Sequence, residues 1–378
     1  MKIAILTDTH FGVRNDSLLF HHAFVRFYDE VFFPELRKRG ITTIVHLGDL
    51  FDRRKYINFH ILYRTRKDFV EQLVNGGYET HFLVGNHDTY FKDSNSINSI
   101  RELIDERYER TAPKFAKFDP EARKLFHVYE EPEEVVFDGT RILFVPWLNT
   151  TNMGPGLEMI AKSKAKVLFG HLEIAGFHMD QNQVCEHGLD KNIFSHYDVV
   201  YSGHFHHASQ SGPIRYLGAP YEMTFADLND PKGFHIFDTN THDLEFIQNP
   251  NKMFYRIVYD DRENKEKLLE TDFSQYENKF IKLVVPHKTD PVIYDKYLDA
   301  LHHANPADFS INEILSLDLN EETDEQFQEF DENNQVVVVS DTLTVLNTYV
   351  DGIGLEVDKM KLKDIMRELY VEATAGKV

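Results

Sequence analysis

The sequence has a single cysteine, Cys185, a single tryptophan, and no apolar run that approaches the roughly 20 residues needed to span a bilayer. One thiol excludes a disulfide framework and fits a reducing, cytoplasmic setting. It is also a poor nucleophile candidate, because nothing around it reads as a thiol-protease signature. The opening MKIAIL is apolar, but Asp8 interrupts it too early for a secretory signal. Positive charge is missing from one long stretch: between Lys296 and Lys359 there is no Lys or Arg, and 15 Asp or Glu. The net charge of −21 excludes a chain that coats nucleic acid indiscriminately. The imbalance is uneven, however. Residues 1–70 carry 12 basic and 8 acidic side chains, so the N-terminal region can still face phosphates.

What is present is a repeated pattern: a short apolar run followed by a polar cluster. It occurs at KIAILTDTH (2–10), TTIVHLGD (42–49), THFLVGNHD (80–88), KVLFGH (166–171) and DVVYSGHFH (198–206). Each run is short and rich in β-branched or aromatic residues, which predicts buried strands. Helical periodicity fills 18–40 and 60–77, and both segments end in glycine. Alternating strands and helices predict an α/β layer fold, whose sites lie beyond the C-terminal ends of strands. Further on, EEVVFDGTRILFVPW (133–147) predicts a hairpin around Asp138-Gly139, and 233–247 predicts two strands turning near Asn240. With 378 residues the chain has room for a large domain and one or two smaller ones. The divisions predicted are a core over 1–250, a small α+β unit over 251–318, an acidic linker over 319–339 and a pair of amphipathic helices over 340–378.

The five strand ends supply Asp8 and His10, Asp49, Asn86 with His87 and Asp88, His171, and His204 with His206. Carboxylate, imidazole and amide oxygen together suit a borderline divalent metal such as Mn, Fe, Co or Zn. The candidates are too numerous for one tetrahedral ion and suit two ions about 3.5–4 Å apart sharing a carboxylate. Asp8 and His10 are two apart, as are His204 and His206, so an extended chain turns each pair to one side. His207 then faces away. Gly48, before Asp49, permits close backbone approach to the ions. A lone Asp-x-His or Gly-His is weak evidence, and most single histidines near strand ends are core or surface residues. His21, His22, His302 and His303 are read that way. Five clusters in series are a stronger signal.

Those motifs, DTH, GDLFD, GNHD, GH and GHFH, resemble the binuclear calcineurin-like metallophosphoesterases over about residues 1–248. Within them, RYLGAPYEMTF and DPKGFHIFD (215–238), the following small domain and the terminal LYVEAT are similar to the SbcD-type double-strand-break repair nucleases, those of T-even bacteriophages included. The resemblance implies a four-layer α/β sandwich, two mixed β-sheets flanked by helices, with a small α+β cap and a C-terminal helix pair. It implies two divalent ions, manganese first among them. One would be held by Asp8, His10 and His206 and the other by Asn86, His171 and His204, with Asp49 bridging. His87 would assist the leaving oxygen and Asp88 would orient His87. It further implies exonuclease or endonuclease action on DNA, and an SbcC-type coiled-coil ATPase bound by the terminal helices. Pairing of two nuclease cores and a cytoplasmic location (host cytoplasm for a viral chain) also follow from it. Part of the family has His where Asp52 stands. Arg53 and Arg54, following the GDLFD turn, are candidates for phosphate-backbone contacts. Other readings of the same core are a phosphatase or cyclic-nucleotide phosphodiesterase, and a scaffold with a dead site. The tail and cap argue against the former and the full ligand set against the latter.

Overall fold

Residues 1–104, 125–179, 183–262, 265–313 and 361 are described by the computed structural model. Lys2–Leu6 (β1) shows how the layers arise. Ile3 and Ile5 point into one buried cluster, while Ala4 and Leu6 point into another. A strand apolar on both faces must be covered on both sides. The first sheet has the order β14 (Leu244–Gln248), β13 (Gly233–Asp238), β1, β2 (Thr43–His46), β3 (Glu79–Leu83) and β6 (Phe126–Tyr129), with strands numbered along the chain. The second runs β11 (Ser209–Ser211), β12 (Ile214–Tyr216), β10 (Val199–Gly203), β9 (Val167–His171), β8 (Thr140–Val145) and β7 (Glu133–Phe137). Both are mixed: β1, β2, β3 and β6 are parallel in one, and β12, β10, β9 and β8 in the other, each with antiparallel outer strands.

Between the sheets lie Ile3, Ile5, Val45 and Leu83 from one side and Ile142, Phe144, Val167 and Phe169 from the other. On the outer face of the first sheet, Phe20, Phe24, Phe27, Phe32 and Phe33 bury against Ala4, Leu6 and Ile44. On the outer face of the second, Ile160 and Phe194 cover Leu143, Leu168 and Val200. This is the four-layer α/β sandwich expected. The two predicted helices each contain a wider π turn: Tyr28–Phe32 between Leu18–Phe27 and Phe33–Arg39, and Arg66–Val70 between Phe59–Thr65 and Glu71–Asn75. Such a turn re-phases a helix, and here the consecutive Phe32 and Phe33 are both buried. Gly40, at φ 64°, caps the first as a left-handed residue.

The hairpin at Asp138-Gly139 forms as predicted, both residues at positive φ. A short hairpin not predicted, β4 (Thr89–Phe91) and β5 (Ser94–Asn98), follows the GNHD segment. β15 (Phe254–Asp260), β16 (Phe280–His287) and β17 (Asp308–Glu313) make a parallel three-stranded sheet. Against it packs the helix Pro291–His303, capped by Asp290. Its cluster, including Tyr259, Leu283, Tyr297 and Leu301, is its own, yet Phe254 and Phe280 join the Phe20 cluster of the core. The chain divides into two units, Met1–Ile314 and Leu315–Val378. Apart from residue 361, the expected acidic linker and helix pair lie outside the described residues. Among the described residues no helix is long and apolar enough to cross a membrane.

Candidate metal centre

β1, β2 and β3 are parallel neighbours in one sheet and β9 and β10 in the other, so their C-terminal ends meet along one edge. There the backbone leaves extended geometry. Asp8, His10, Asp49 and His204 have φ of 52°, 41°, 57° and 90°, a region that side-chain-bearing residues avoid. Strand alternation is therefore not what aligns Asp8 with His10 or His204 with His206. β1 ends at Leu6 and β10 at Gly203, and left-handed turns aim the side chains instead. Two glycines let the segments close. A Cβ on Gly48 would stand 2.6 Å from His171 Nδ1 and 2.8 Å from the Gly85 Cα, and one on Gly85 would collide with Asp49. The close approach of Gly48 is thus to other site segments.

Two groups of donors result: Asp8, His10 and His206 in one, Asp49, His171 and His204 in the other. In the first, His206 Nε2 faces His10 Nε2 at 3.0 Å, and His10 Nε2 lies 4.0 Å from Asp8 Oδ1. In the second, Asn86 Oδ1 lies 2.9 Å from His171 Nε2 and 2.8 Å from His204 Nδ1. Asp49 Oδ2 stands between the groups, 3.3 Å from His171 Nε2 and 3.7 Å from His10 Nε2. The carbonyl of Leu47 accepts from His171 Nδ1 at 2.8 Å, which orients the ring and turns Nε2 toward Asn86 and Asp49. Thr7 Oγ1 and the His204 N–H both donate to Asp8.

The electrostatics call for cations. Burial raises the Asp8 carboxyl above its usual range, opposed by the His171 imidazole and reinforced by the Asp49 charge. Burial acts the same way on Asp49, but the imidazoles of His171 and His87 outweigh it and hold the carboxyl well below that range. Burial works against a charged His10 and His171, yet the facing carboxylates, Asp52 and Asp49 for His10 and Asp49 for His171, bring each up to about 9. His204 and His206 are pushed down to about 3 by burial, then by His171 and His10 respectively. Buried carboxylates whose charge is met by neighbouring imidazoles, with ring nitrogens converging on them, are a donor set suited to divalent ions.

Residues 1–208 match the Calcineurin-like phosphoesterase family. The chain belongs to the calcineurin-like phosphoesterases. It is 31% identical over 377 residues to Exonuclease subunit 1 of Enterobacteria phage T4, a match covering 99% of this chain and 100% of the relative. It is also 24% identical over 151 residues to the SbcD component of the nuclease SbcCD from Staphylococcus saprophyticus, covering 37% of this chain and 40% of that one. A solved archaeal phosphodiesterase aligns over 66% of this chain and 100% of its own at 15% identity and a TM-score of 0.31, a likeness too slight to add to the fold argument.

Around the donors, this phosphoesterase departs from expectation in three places. Asp88 does not orient His87. Its carboxylate accepts the N–H groups of Asp49 (2.8 Å), Leu50 (2.9 Å), Gly85 (2.9 Å) and Phe51 (3.3 Å), and so holds the turn that presents Asp49. His87 is anchored by the carbonyl of Asp52, which accepts from its Nδ1 at 2.6 Å, and its own N–H donates to Asp49 Oδ1. Asp52, where a second imidazole was in question, places its carboxylate 3.5 Å from His10 Nδ1 and backs that ring. Arg53 engages its guanidinium at the partly exposed surface with its own chain, donating to Asp16 Oδ2 (2.9 Å) and Asn15 Oδ1 (2.8 Å). Arg54 lies over the Trp147 ring at 5.1 Å, and its buried Nε and Nη1 have no hydrogen-bond partner among the described residues.

Lys232 is a support that sequence reasoning did not single out. It is 4% exposed, paired with Asp227 (2.6 Å) and Asp230 (2.8 Å), and donates to the His206 carbonyl at 2.8 Å. The DPKGF stretch that carried part of the resemblance thus fixes the backbone of a donor residue. Asp230 also lies 3.1 Å from His207, which turns away from the centre as expected.

Proposed function

We propose that this chain is a metal-dependent DNA nuclease, hydrolysing phosphodiester bonds at DNA ends in recombination and double-strand-break repair. The observation that carries the reading is the facing pair of donor groups bridged by Asp49, in a chain similar along its whole length to an exonuclease subunit. Asp8, His10 and His206 would hold one divalent ion and Asn86, His171 and His204 the other, with Asp49 shared. Manganese is the proposed metal. Bound ions of this kind acidify water toward neutrality and take up charge on phosphate oxygens.

The remaining roles belong to the chain's own groups. His87 is half-buried at the rim of the centre, its Nδ1 proton committed to the Asp52 carbonyl. That leaves Nε2 to hold or deliver a proton at the departing 3′-oxygen. Asp52 keeps the His10 ring in place, and Lys232 keeps the His206 backbone in place. Arg53 is held by Asp16, so Arg54, which has no ion pair among the described residues, is the arginine proposed for a phosphate contact.

Residues 251–318 are read as a cap on the 1–250 core, and 340–378, beyond the linker 319–339, as the docking helices for an SbcC-type ATPase. Pairing of two cores is also proposed. Tyr56 and Phe59, 63% and 88% exposed beside the helix Phe59–Thr65, support it as an apolar surface that wants cover. The place of action is proposed as cytoplasmic. Purified protein with Mn²⁺ is to be given labelled duplex DNA, single-stranded DNA and a generic phosphomonoester. Cleavage of DNA is expected. Cleavage of the monoester alone would favour a phosphatase and overturn the nuclease reading.

A further inference from the structure

We infer that Glu79, His81 and His127 form a third metal site, separate from the catalytic centre, for a borderline divalent cation of the zinc class. β3 and β6 pair in parallel with His81 directly opposite His127. Glu79 precedes His81 by two on β3, so strand alternation sets all three on one face. Their ligand atoms lie within 4.8 Å of one another. Glu79 Oε1 is 3.2 Å from His127 Nε2 and 3.6 Å from His81 Nε2. Ligands about 2.0–2.1 Å from a tetrahedral zinc ion stand about 3.3 Å apart, so the two carboxylate-to-ring distances are already close to the edge lengths of such a shell.

The second observation is the state of His81. The residue is 4% exposed, and its Nε2 is buried without a hydrogen-bond partner among the described residues, aimed toward Glu79. A buried polar atom left in that condition is costly and asks for an explanation. Its other nitrogen, Nδ1, lies 2.8 Å from the Tyr129 hydroxyl oxygen. With Nδ1–H donating there, Nε2 keeps the lone pair a metal needs, and a partner on the far nitrogen is what a ligating histidine has. The His127 ring stacks on His81 at 4.4 Å and 15°; its Nε2–H donates to Glu79 Oε1 at 3.2 Å, a contact that a shared ion would replace, and the ring is 39% exposed and free to turn.

The position separates this site from the catalytic one. Glu79 is the first residue of β3, whereas Asn86 follows its last, so the two sites sit at opposite ends of the strand. β6 is the edge strand of its sheet. An ion here ties that edge to β3 and closes the end of the inter-sheet core, where His81 meets Phe137 and Phe144 edge-on. The site takes no part in hydrolysis.

The test uses the full chain, stripped with chelator, reloaded with Zn²⁺ and dialysed, with bound metal counted by mass spectrometry. Wild type is expected to retain one equivalent more than His127→Ala or Glu79→Gln, both changes at half-exposed positions. The variants should cleave DNA at the wild-type rate. Cobalt loading should give wild type a tetrahedral visible band that the variants lack. Zn²⁺ should also raise the melting temperature of wild type more than that of the variants. Equal metal counts in wild type and both variants overturn the proposal, whatever the catalytic centre holds. So does an unchanged cobalt spectrum.

Discussion

Asp88 Oδ2 accepts the backbone N–H of Asp49 at 2.8 Å. The buried carboxylate behind the metal centre therefore shapes the turn carrying the shared ligand, and does not touch the imidazole beside it in sequence. Asp88→Asn puts an amide donor among N–H groups that already donate, leaving buried donors unsatisfied at roughly 1–3 kcal/mol each. Metal content and hydrolysis are expected to fall together, by tenfold or more, with a lower melting temperature. Metal analysis beside a nuclease assay checks this. A variant that keeps its metals while losing activity would return Asp88 to a role in orienting His87.

His87→Ala should behave in the opposite way. The ring lies in edge contact with His10 at 4.9 Å between centroids and belongs to neither donor group. Metal content should stay at the wild-type level while the hydrolysis rate drops by about 10²–10⁴, the usual worth of a general acid. Collapse of metal content would make His87 a ligand.

Asp52→Ala separates the two contacts of one residue. The carbonyl that anchors His87 remains, while the carboxylate behind His10 goes. Loss of such a supporting carboxylate costs about 10–100-fold in metal affinity. Mn²⁺ titration of activity should shift to higher concentration by that factor, with the rate at saturating metal changed much less.

The two arginines should part company. Arg54→Ala is expected to weaken duplex binding and reduce the salt slope by about 1, as loss of one phosphate contact does. Arg53→Ala removes the ion pair with Asp16 and should leave the slope alone. Filter binding across a salt series decides, and equal slopes for wild type and Arg54→Ala would take the turn out of the interface.

His235, 8% exposed on β13, is pushed down to about 3 by burial and then by the Arg215 charge. It is neutral in the fold, whereas in the unfolded chain it takes up a proton near the ordinary value of 6.5. The folded state then binds fewer protons, so stability is intact above about pH 6.5 and is lost as pH falls toward about 3, by up to about 1.4 kcal/mol per pH unit. His235→Phe should flatten that acid limb in urea unfolding of the metal-stripped protein. An unchanged limb would show that His235 already titrates in the fold.

The sequence by itself determined the architecture and which polar side chains meet at one sheet edge. Short apolar runs that bury both faces can only be interior strands, and polar residues at their ends can only stand at a sheet edge. This is why Asp8, Asp49, Asn86, His171 and His204 were legible from five separate segments. Tertiary structure decided how those residues are aimed and supported. Left-handed turns replaced strand alternation at Asp8 and His204. The carboxylate of Asp88 went to distant backbone N–H groups, the Asp52 carbonyl took His87, and Lys232 reached the His206 carbonyl from 26 residues away. Such contacts depend on which loops meet in space, and on backbone carbonyls and amides that every residue carries alike, so no residue letter records them. The pairing of His81 with His127 has the same origin: it is set by strand register, which appears only when the sheet is assembled.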